Sequence, residues 1–150
     1  MTGVPIQIVR LSEELPDDFP TLRAEARVEG YRLVETFAEE WRAGRYAGPE
    51  ADHAGFAAFA DGRLAALGAI TPAPYDPGQD LLRLRHLYVR PPFRRTGVGR
   101  VLATALIQQG LGLAGRLSLR AADERAALFW DSLGFQRVAD NPARTHILTR

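Results

Sequence analysis

The spacing of apolar residues changes several times along the chain, and each change predicts an element. Residues 6–9 read as a short strand, and the prolines at Pro16 and Pro20 interrupt the chain ahead of a helical stretch. Beyond Gly30, Val34, Phe37, Ala38 and Trp41 recur at i, i+3, i+4 and i+7, which places them on one face of a helix ending near Gly44. Asp61-Gly62 stands between apolar runs at 56–60 and 64–70, the pattern of a tight hairpin, although alanine-rich strands draw little support from intrinsic propensity. Three prolines in the segment 71–78, which also holds Tyr75, end the second run and make that segment a connection within one domain.

Residues 81–90 alternate. Arg83, Arg85, Leu87 and Val89 are expected on one side of a strand and Leu82, Leu84, His86 and Tyr88 on the other, with Pro91 and Pro92 as its stop. From Gly97, the positions Val98, Val101, Leu102, Ala105 and Leu106 mark a helix face, ended by Gly110 and Gly112. Residues 116–120 form a short strand with Leu117 and Leu119 inward. Asp123 is a natural N-cap for a helix with Ala126, Phe129, Trp130 and Leu133 on its core face and Gly134 as its end. Short strands at 136–138 and 145–149 complete a mixed α/β sheet.

Composition narrows the chemistry. With 150 residues, 46% of them hydrophobic and 25% charged, the chain is expected to be one globular domain over 1–150 with a sizeable core. Nineteen basic and 18 acidic residues leave a net charge of +1, so there is no general pull toward nucleic acid or an anionic membrane. Every basic residue is arginine; without lysine, neither a P-loop nor a Schiff-base mechanism is available. Zero cysteines exclude disulfides, thiolate zinc sites and a cysteine nucleophile. No signal-like start or membrane-spanning run is present, so the expected location is the cytoplasm.

Residues 87–100 concentrate the candidate chemistry: a strand ending in Leu87-Tyr88-Val89, a proline stop, then Arg94-Arg95-Thr96-Gly97-Val98-Gly99-Arg100 entering a helix. Such a turn presents unpaired backbone N–H groups at the positive end of a helix dipole, which makes it an anion cradle. Gly97 and Gly99 would let phosphate approach the backbone, and Arg94, Arg95 and Arg100 would add charge and hydrogen-bonding forks. Between residues 83 and 100 there are six arginines and no acidic residue, so the local field is read as positive. The alternative is a glycine-rich helix start that merely packs tightly.

This segment resembles the acyl-CoA motif of the GNAT superfamily of N-acetyltransferases, Arg/Gln-x-x-Gly-x-Gly/Ala, preceded by that family's strand ending Leu-x-Val-x-Pro, here Leu87 to Pro91. A second block, Asp123 to Phe135, is similar to the family's C-terminal motif, and the resemblance covers about residues 55 to 138. It implies a mostly antiparallel mixed sheet flanked by helices and splayed near Val89 and Leu119, with pantetheine between the strands. It further implies acetyl-CoA as co-substrate, no metal, and direct transfer of the acetyl group to a primary amine of a small molecule or peptide. Leu87 would supply a backbone N–H to the oxyanion. Leu87, Tyr88, Val89, the turn from Arg94 to Arg100 and, from the second block, Asp123, Phe129 and Trp130 would hold the CoA. Arg83, Arg85 and Tyr31 would border the acceptor amine; the two arginines would fork onto an acceptor carboxylate or, alternatively, pair with Glu or Asp on neighbouring elements or lie in solvent beyond the cleft.

Two positions depart from the family. Trp130 replaces the tyrosine that often protonates the leaving thiolate, and Arg83 stands where some members carry a glutamate base, so the general acid and base remain unassigned. The alternative is an acyl-CoA-binding module without turnover. The resemblance places Tyr31, Trp41, Tyr46 and Tyr75 near the acceptor side, with Trp41 assigned to the core by its spacing. Gly110 to Gly115 match a dinucleotide fingerprint but follow a helix and precede a strand, the reverse of the required order. His53, His86 and His146 lack metal-ligand spacing, and Ser12, Ser118 and Ser132 lack a nucleophile elbow. No nucleic-acid or membrane partner is expected, and the oligomeric state stays open, a homodimer included.

Overall fold

The computed structural model describes residues 5–73 and 78–150, so Tyr75 and the rest of 74–77 in the proline segment lie outside the described residues. In chain order the elements are β1 (Ile6–Leu11), α1 (Phe19–Val28), α2 (Leu33–Arg42), β2 (Ala54–Ala60), β3 (Arg63–Pro72), β4 (Leu81–Val89), α3 (Val98–Leu113), β5 (Arg116–Leu119), α4 (Glu124–Ser132), β6 (Gln136–Arg137) and β7 (His146–Thr149). A single 3-10 turn, Pro91–Phe93, links β4 to the glycine-rich segment. The strands make one sheet in the order β1-β2-β3-β4-β5-β7-β6, antiparallel throughout except between β4 and β5.

Helices cover both faces of the sheet, which explains the alanine-rich strands. Leu22 and Ala26 of α1 and Val34 and Phe37 of α2 pack on Ala57, Leu67 and Ala69. On the opposite face Val98, Leu102 and Leu106 of α3 pack with Ala58, Ala66, Ile70, Leu84 and Leu117. A strand buried on both faces reads as a continuous apolar run, and small side chains let the helices come close.

The largest departure from the sequence reading lies in β4. Its register with β3 runs Ala66↔Val89 and Leu67↔Tyr88, then slips to Ala69↔Arg85 and Ile70↔Leu84, so His86 and Leu87 together oppose Gly68. His86 sits at φ +63°, in the left-handed region. The bulge reverses the alternation. Leu82 and Leu84 before it, and Leu87 and Val89 after it, all pack on the α3 side. His86 meets Phe37 of α2 with ring centroids 5.9 Å apart, and Arg85 also reaches α2. Arg83, two residues from Arg85 in the regular part of the strand, shares that side. Arg83 and Arg85 therefore do not share a face with Leu87 and Val89, because the extra residue turns the pleat over.

Smaller corrections have equally local causes. The helix α3 continues past Gly110 to Leu113. A Cβ at Gly110 would lie 2.5 Å from Leu117 Cδ2, so this glycine lets β5 approach the helix and is not a stop. In α4, Asp123 caps as expected, its carboxylate accepting from the Ala126 N–H at 2.8 Å. The buried positions there are Ala127 and Trp130, with Ala126, Phe129 and Leu133 at the margin of the core.

Candidate active site

The strands β4 and β5 pair only at Leu81↔Arg116, Leu82↔Leu117 and Arg83↔Ser118, and beyond that point they part. A cleft of about 500 Å³ opens between them. Leu84 to Val89 form one wall, residues 119–122 and α4 the other, and the turn leading into α3 closes one end. Of the residues singled out in the sequence, Tyr31, Arg85, Leu87, Tyr88, Val89, Arg94, Arg95, Gly97, Gly99, Arg100, Asp123, Phe129 and Trp130 line this cleft. Thr96, Val98 and Arg83 do not. Val98 is buried in the first turn of α3, and the Thr96 hydroxyl donates to the Phe93 carbonyl at 2.5 Å, which holds the turn.

At the start of α3 the backbone leaves N–H groups free. Arg95 has φ +62° and Gly97 has φ +88°, and the first-turn N–H groups that follow have no partner within the helix. The two glycines do different work. Gly97 is needed for its left-handed backbone, and a Cβ there would meet nothing within 4 Å. Gly99 lies against β4, and a Cβ there would be 3.1 Å from Val89 Cγ2.

The arginines are less free than the sequence window implies. Arg85 donates to Glu40 at 2.8 Å, Arg90 to Glu25 at 2.6 Å, and Arg94 to both oxygens of Glu29 at 2.7 and 2.5 Å. These carboxylates come from α1, the residue after it, and α2, 45 to 65 positions away, and they offset three of the six arginine charges read over 83–100. Arg100 donates to the Ser132 hydroxyl at 2.8 Å. Among the described residues, Arg95 has no hydrogen-bond or ion-pair partner and lines the cleft with its charge uncommitted. The hydrogen bond from Arg94, joined by one from Tyr88 at 2.5 Å, holds Glu29 below the usual carboxylate range against the opposing effect of burial.

Sequence reasoning missed the polar group behind the bulge. Glu40 of α2 accepts from the Tyr46 hydroxyl at 2.8 Å and from His86 Nε2 at 2.9 Å on one oxygen, and from Arg85 on the other. Burial pushes this carboxyl up, but the His86 and Tyr46 hydrogen bonds and the Arg85 charge outweigh it and hold it at about 2. Burial pushes His86 down, with Arg85 and Arg83 adding to the shift and Glu40 opposing it. Burial and Glu40 both push the Tyr46 hydroxyl up. The only sequence signal was a polar residue, His86, in a strand whose neighbours pack; its partner Glu40 is 46 positions away.

The remaining motifs are structural. His146 is buried between Asp131 at 3.0 Å and Thr145 at 2.7 Å, and His53 contacts Asp52 at 2.7 Å. Trp130 is 6% exposed and packs edge-on to Phe129 and Phe135, which makes it a wall of the cleft. Among the described residues no group of three or more His, Cys, Asp or Glu side chains could hold a metal, and no helix is long and apolar enough to cross a membrane.

The acetyltransferase (GNAT) family profile matches residues 9–135. Among solved structures, a protein from Exiguobacterium sp. 255-15 assigned as an acetyltransferase has a TM-score of 0.80 at 29% identity, over 97% of this chain and 93% of its own. The ribosomal-protein-S18-alanine N-acetyltransferase of Escherichia coli has a TM-score of 0.65 at 22% identity, over 95% and 89%. A GNAT family N-acetyltransferase of Escherichia coli in complex with CoA has a TM-score of 0.72 at 15% identity, over 99% and 83%. No curated protein sequence matches.

Proposed function

The chain belongs to the acetyltransferase (GNAT) family, and from that premise we propose that it transfers the acetyl group of acetyl-CoA to a primary amine of a small molecule or peptide. The observation that carries this reading is the open seam between β4 and β5, beside the free N–H groups at the start of α3. Its volume lies within the range of ligand clefts, and its apolar walls with a polar end suit pantetheine and pyrophosphate respectively. The CoA complex of the similar Escherichia coli protein supports the same donor.

In this reading Leu87, Tyr88 and Val89 flank the pantetheine, and the backbone from Gly97 to Arg100 receives the pyrophosphate. Thr96 and Val98 act by holding that turn in place. Arg95 and Arg100 supply charge, Arg94 contributes what Glu29 leaves of it, and Asp123, Phe129 and Trp130 form the far wall. Tyr31, Arg83 and Arg85 stand on the acceptor side, the charge of Arg85 shared with Glu40.

The chemistry is direct. The amine nitrogen bonds to the thioester carbonyl carbon, the carbonyl oxygen takes up negative charge beside the Leu87 N–H, and the C–S bond breaks. The indole of Trp130 is no acid near neutral pH, and a thiol of pKa about 8.5 leaves as thiolate and is protonated by water.

An acetyl-CoA titration followed by thiol release across a panel of primary amines and peptides tests the proposal. The expected result is a raised melting temperature with acetyl-CoA and thiol release with at least one amine. No stabilisation at millimolar acetyl-CoA overturns it. Binding without turnover across the panel favours the acyl-CoA-binding module, the reading suggested by Trp130 and Arg83 at the two substituted positions.

A further inference from the structure

Resting on the acetyltransferase reading above, we infer that His86 is the general base of the transfer, its Nδ1 taking the proton that the attacking amine loses while Glu40 fixes the ring. The first ground is position. His86 lines the cleft and immediately precedes Leu87, whose N–H is the proposed oxyanion donor, and the bulge sets these two consecutive residues together against Gly68. A base and an oxyanion donor would then flank the same carbonyl carbon.

The second ground is the tautomer. Glu40 faces Arg85 and is ionised, so both its oxygens can only accept, and His86 Nε2 at 2.9 Å must carry a proton. In the neutral ring that leaves the lone pair on Nδ1. No described residue hydrogen-bonds this Nδ1. His86 Nδ1 does not count among the fully buried, unsatisfied side-chain polar atoms of the described residues, so it keeps a small exposed surface although the side chain as a whole is only 3% exposed. Of the described cavities, the one His86 lines is the cleft.

The charged groups around the ring agree with the role. Glu40 approaches from α2, Tyr46 follows α2 and reaches the ring through Glu40, and Arg83 and Arg85 come from β4, while Phe37 closes the apolar side. Burial and the two arginines favour the neutral, proton-accepting ring, and Glu40 stabilises the imidazolium once it forms. Of the other ionisable groups nearby, Tyr88 and Glu29 bond each other, Glu29 also bonds Arg94, and Asp123 caps α4, while Tyr31 makes a ring contact with Tyr88. During the step the nitrogen forms the C–N bond and gives its proton to Nδ1. The C–S electron pair leaves with the thiolate, and the imidazolium returns its proton to solvent through the cleft. Glu40 acts through His86 and is a positioning residue.

The test uses the full chain, acetyl-CoA and the best amine of the panel. Asparagine tolerates the left-handed backbone of position 86, so His86→Asn is expected to keep the wild-type melting temperature within a few degrees and acetyl-CoA affinity within threefold. Its kcat should fall at least a hundredfold, and the acidic limb of the kcat/KM profile should vanish. Glu40→Gln should lower kcat about tenfold, leave the KM for acetyl-CoA unchanged and move that limb to lower pH. In wild-type protein, 15N NMR should show His86 protonated at Nε2 through neutral pH. An active wild type with His86→Asn within threefold in kcat and its limb retained, or a His86 ring protonated at Nδ1, overturns the base alone. A wild type that turns over no amine overturns the acetyltransferase reading and the base with it. Should His86→Asn fail to fold, the wild-type ring tautomer and the Glu40→Gln profile decide.

Discussion

Arg94, the first residue of the glycine-rich motif, closes on both carboxylate oxygens of Glu29, just beyond the end of α1 and 65 residues earlier in the chain. Its Nε also donates to the Val89 carbonyl at 3.0 Å, and its guanidinium lies 5.5 Å from the Tyr88 ring centroid. The motif's arginine thus ties the end of α1 to the end of β4.

This pairing sets apart two adjacent arginines. Arg94→Ala should lower the melting temperature by several degrees and weaken CoA binding less than threefold, since its charge is already compensated. Arg95→Ala should leave stability unchanged and weaken CoA binding about tenfold, an effect that shrinks at 0.5 M salt as screening removes it. Calorimetric titration with CoA at two salt concentrations checks both. Equal losses for the two variants would contradict the assignment.

What the sequence made legible were features with a local cause. The hairpin at Asp61-Gly62, the Asp123 cap and the glycine-rich entry to α3 each depend on residues within a few positions of one another, and each stands where it was expected. The sides of β4 were misread because the bulge at His86 has no signature in β4 itself; Gly68, in another strand, faces it. The field of the arginines was misread for the same reason, since Glu25, Glu29 and Glu40 reach them only through the tertiary fold.

Gly97 and Gly99 should respond differently to alanine. At Gly97, φ +88° makes alanine strained by about 1–2 kcal/mol and an added methyl group would stand in open space, so in the proposed site CoA affinity should fall more than tenfold. At Gly99 the methyl group would press on Val89, so Gly99→Ala should be destabilised and Gly99→Ala/Val89→Ala should recover part of the loss. Thermal melts and CoA titrations of the three variants decide; no recovery in the double variant would remove Val89 as the cause.

Trp130 is expected to matter for packing and not for proton transfer. Trp130→Phe removes part of a buried ring system that includes Phe129 and Phe135, and should reduce stability by roughly 1–2 kcal/mol while leaving kcat within threefold. A hundredfold fall in kcat at unchanged melting temperature would instead give the indole N–H a catalytic role.

Glu40 gives stability a defined dependence on pH. Its folded-state value of about 2 lies below the ordinary 4.5, so the unfolded chain binds more protons between those two values. The contribution of the carboxylate is therefore fully present above pH 4.5 and is lost as the pH falls toward 2. Glu40→Gln, which resembles the protonated carboxyl, should be less stable than wild type at pH 7, and the two stability curves should converge as the pH drops through that window. Denaturant melts at half-unit intervals from pH 7 to 2.5 measure the difference. Parallel curves would mean that the hydrogen bonds from Tyr46 and His86 survive protonation, so that the charge on Glu40 contributes nothing to holding β4 against α2.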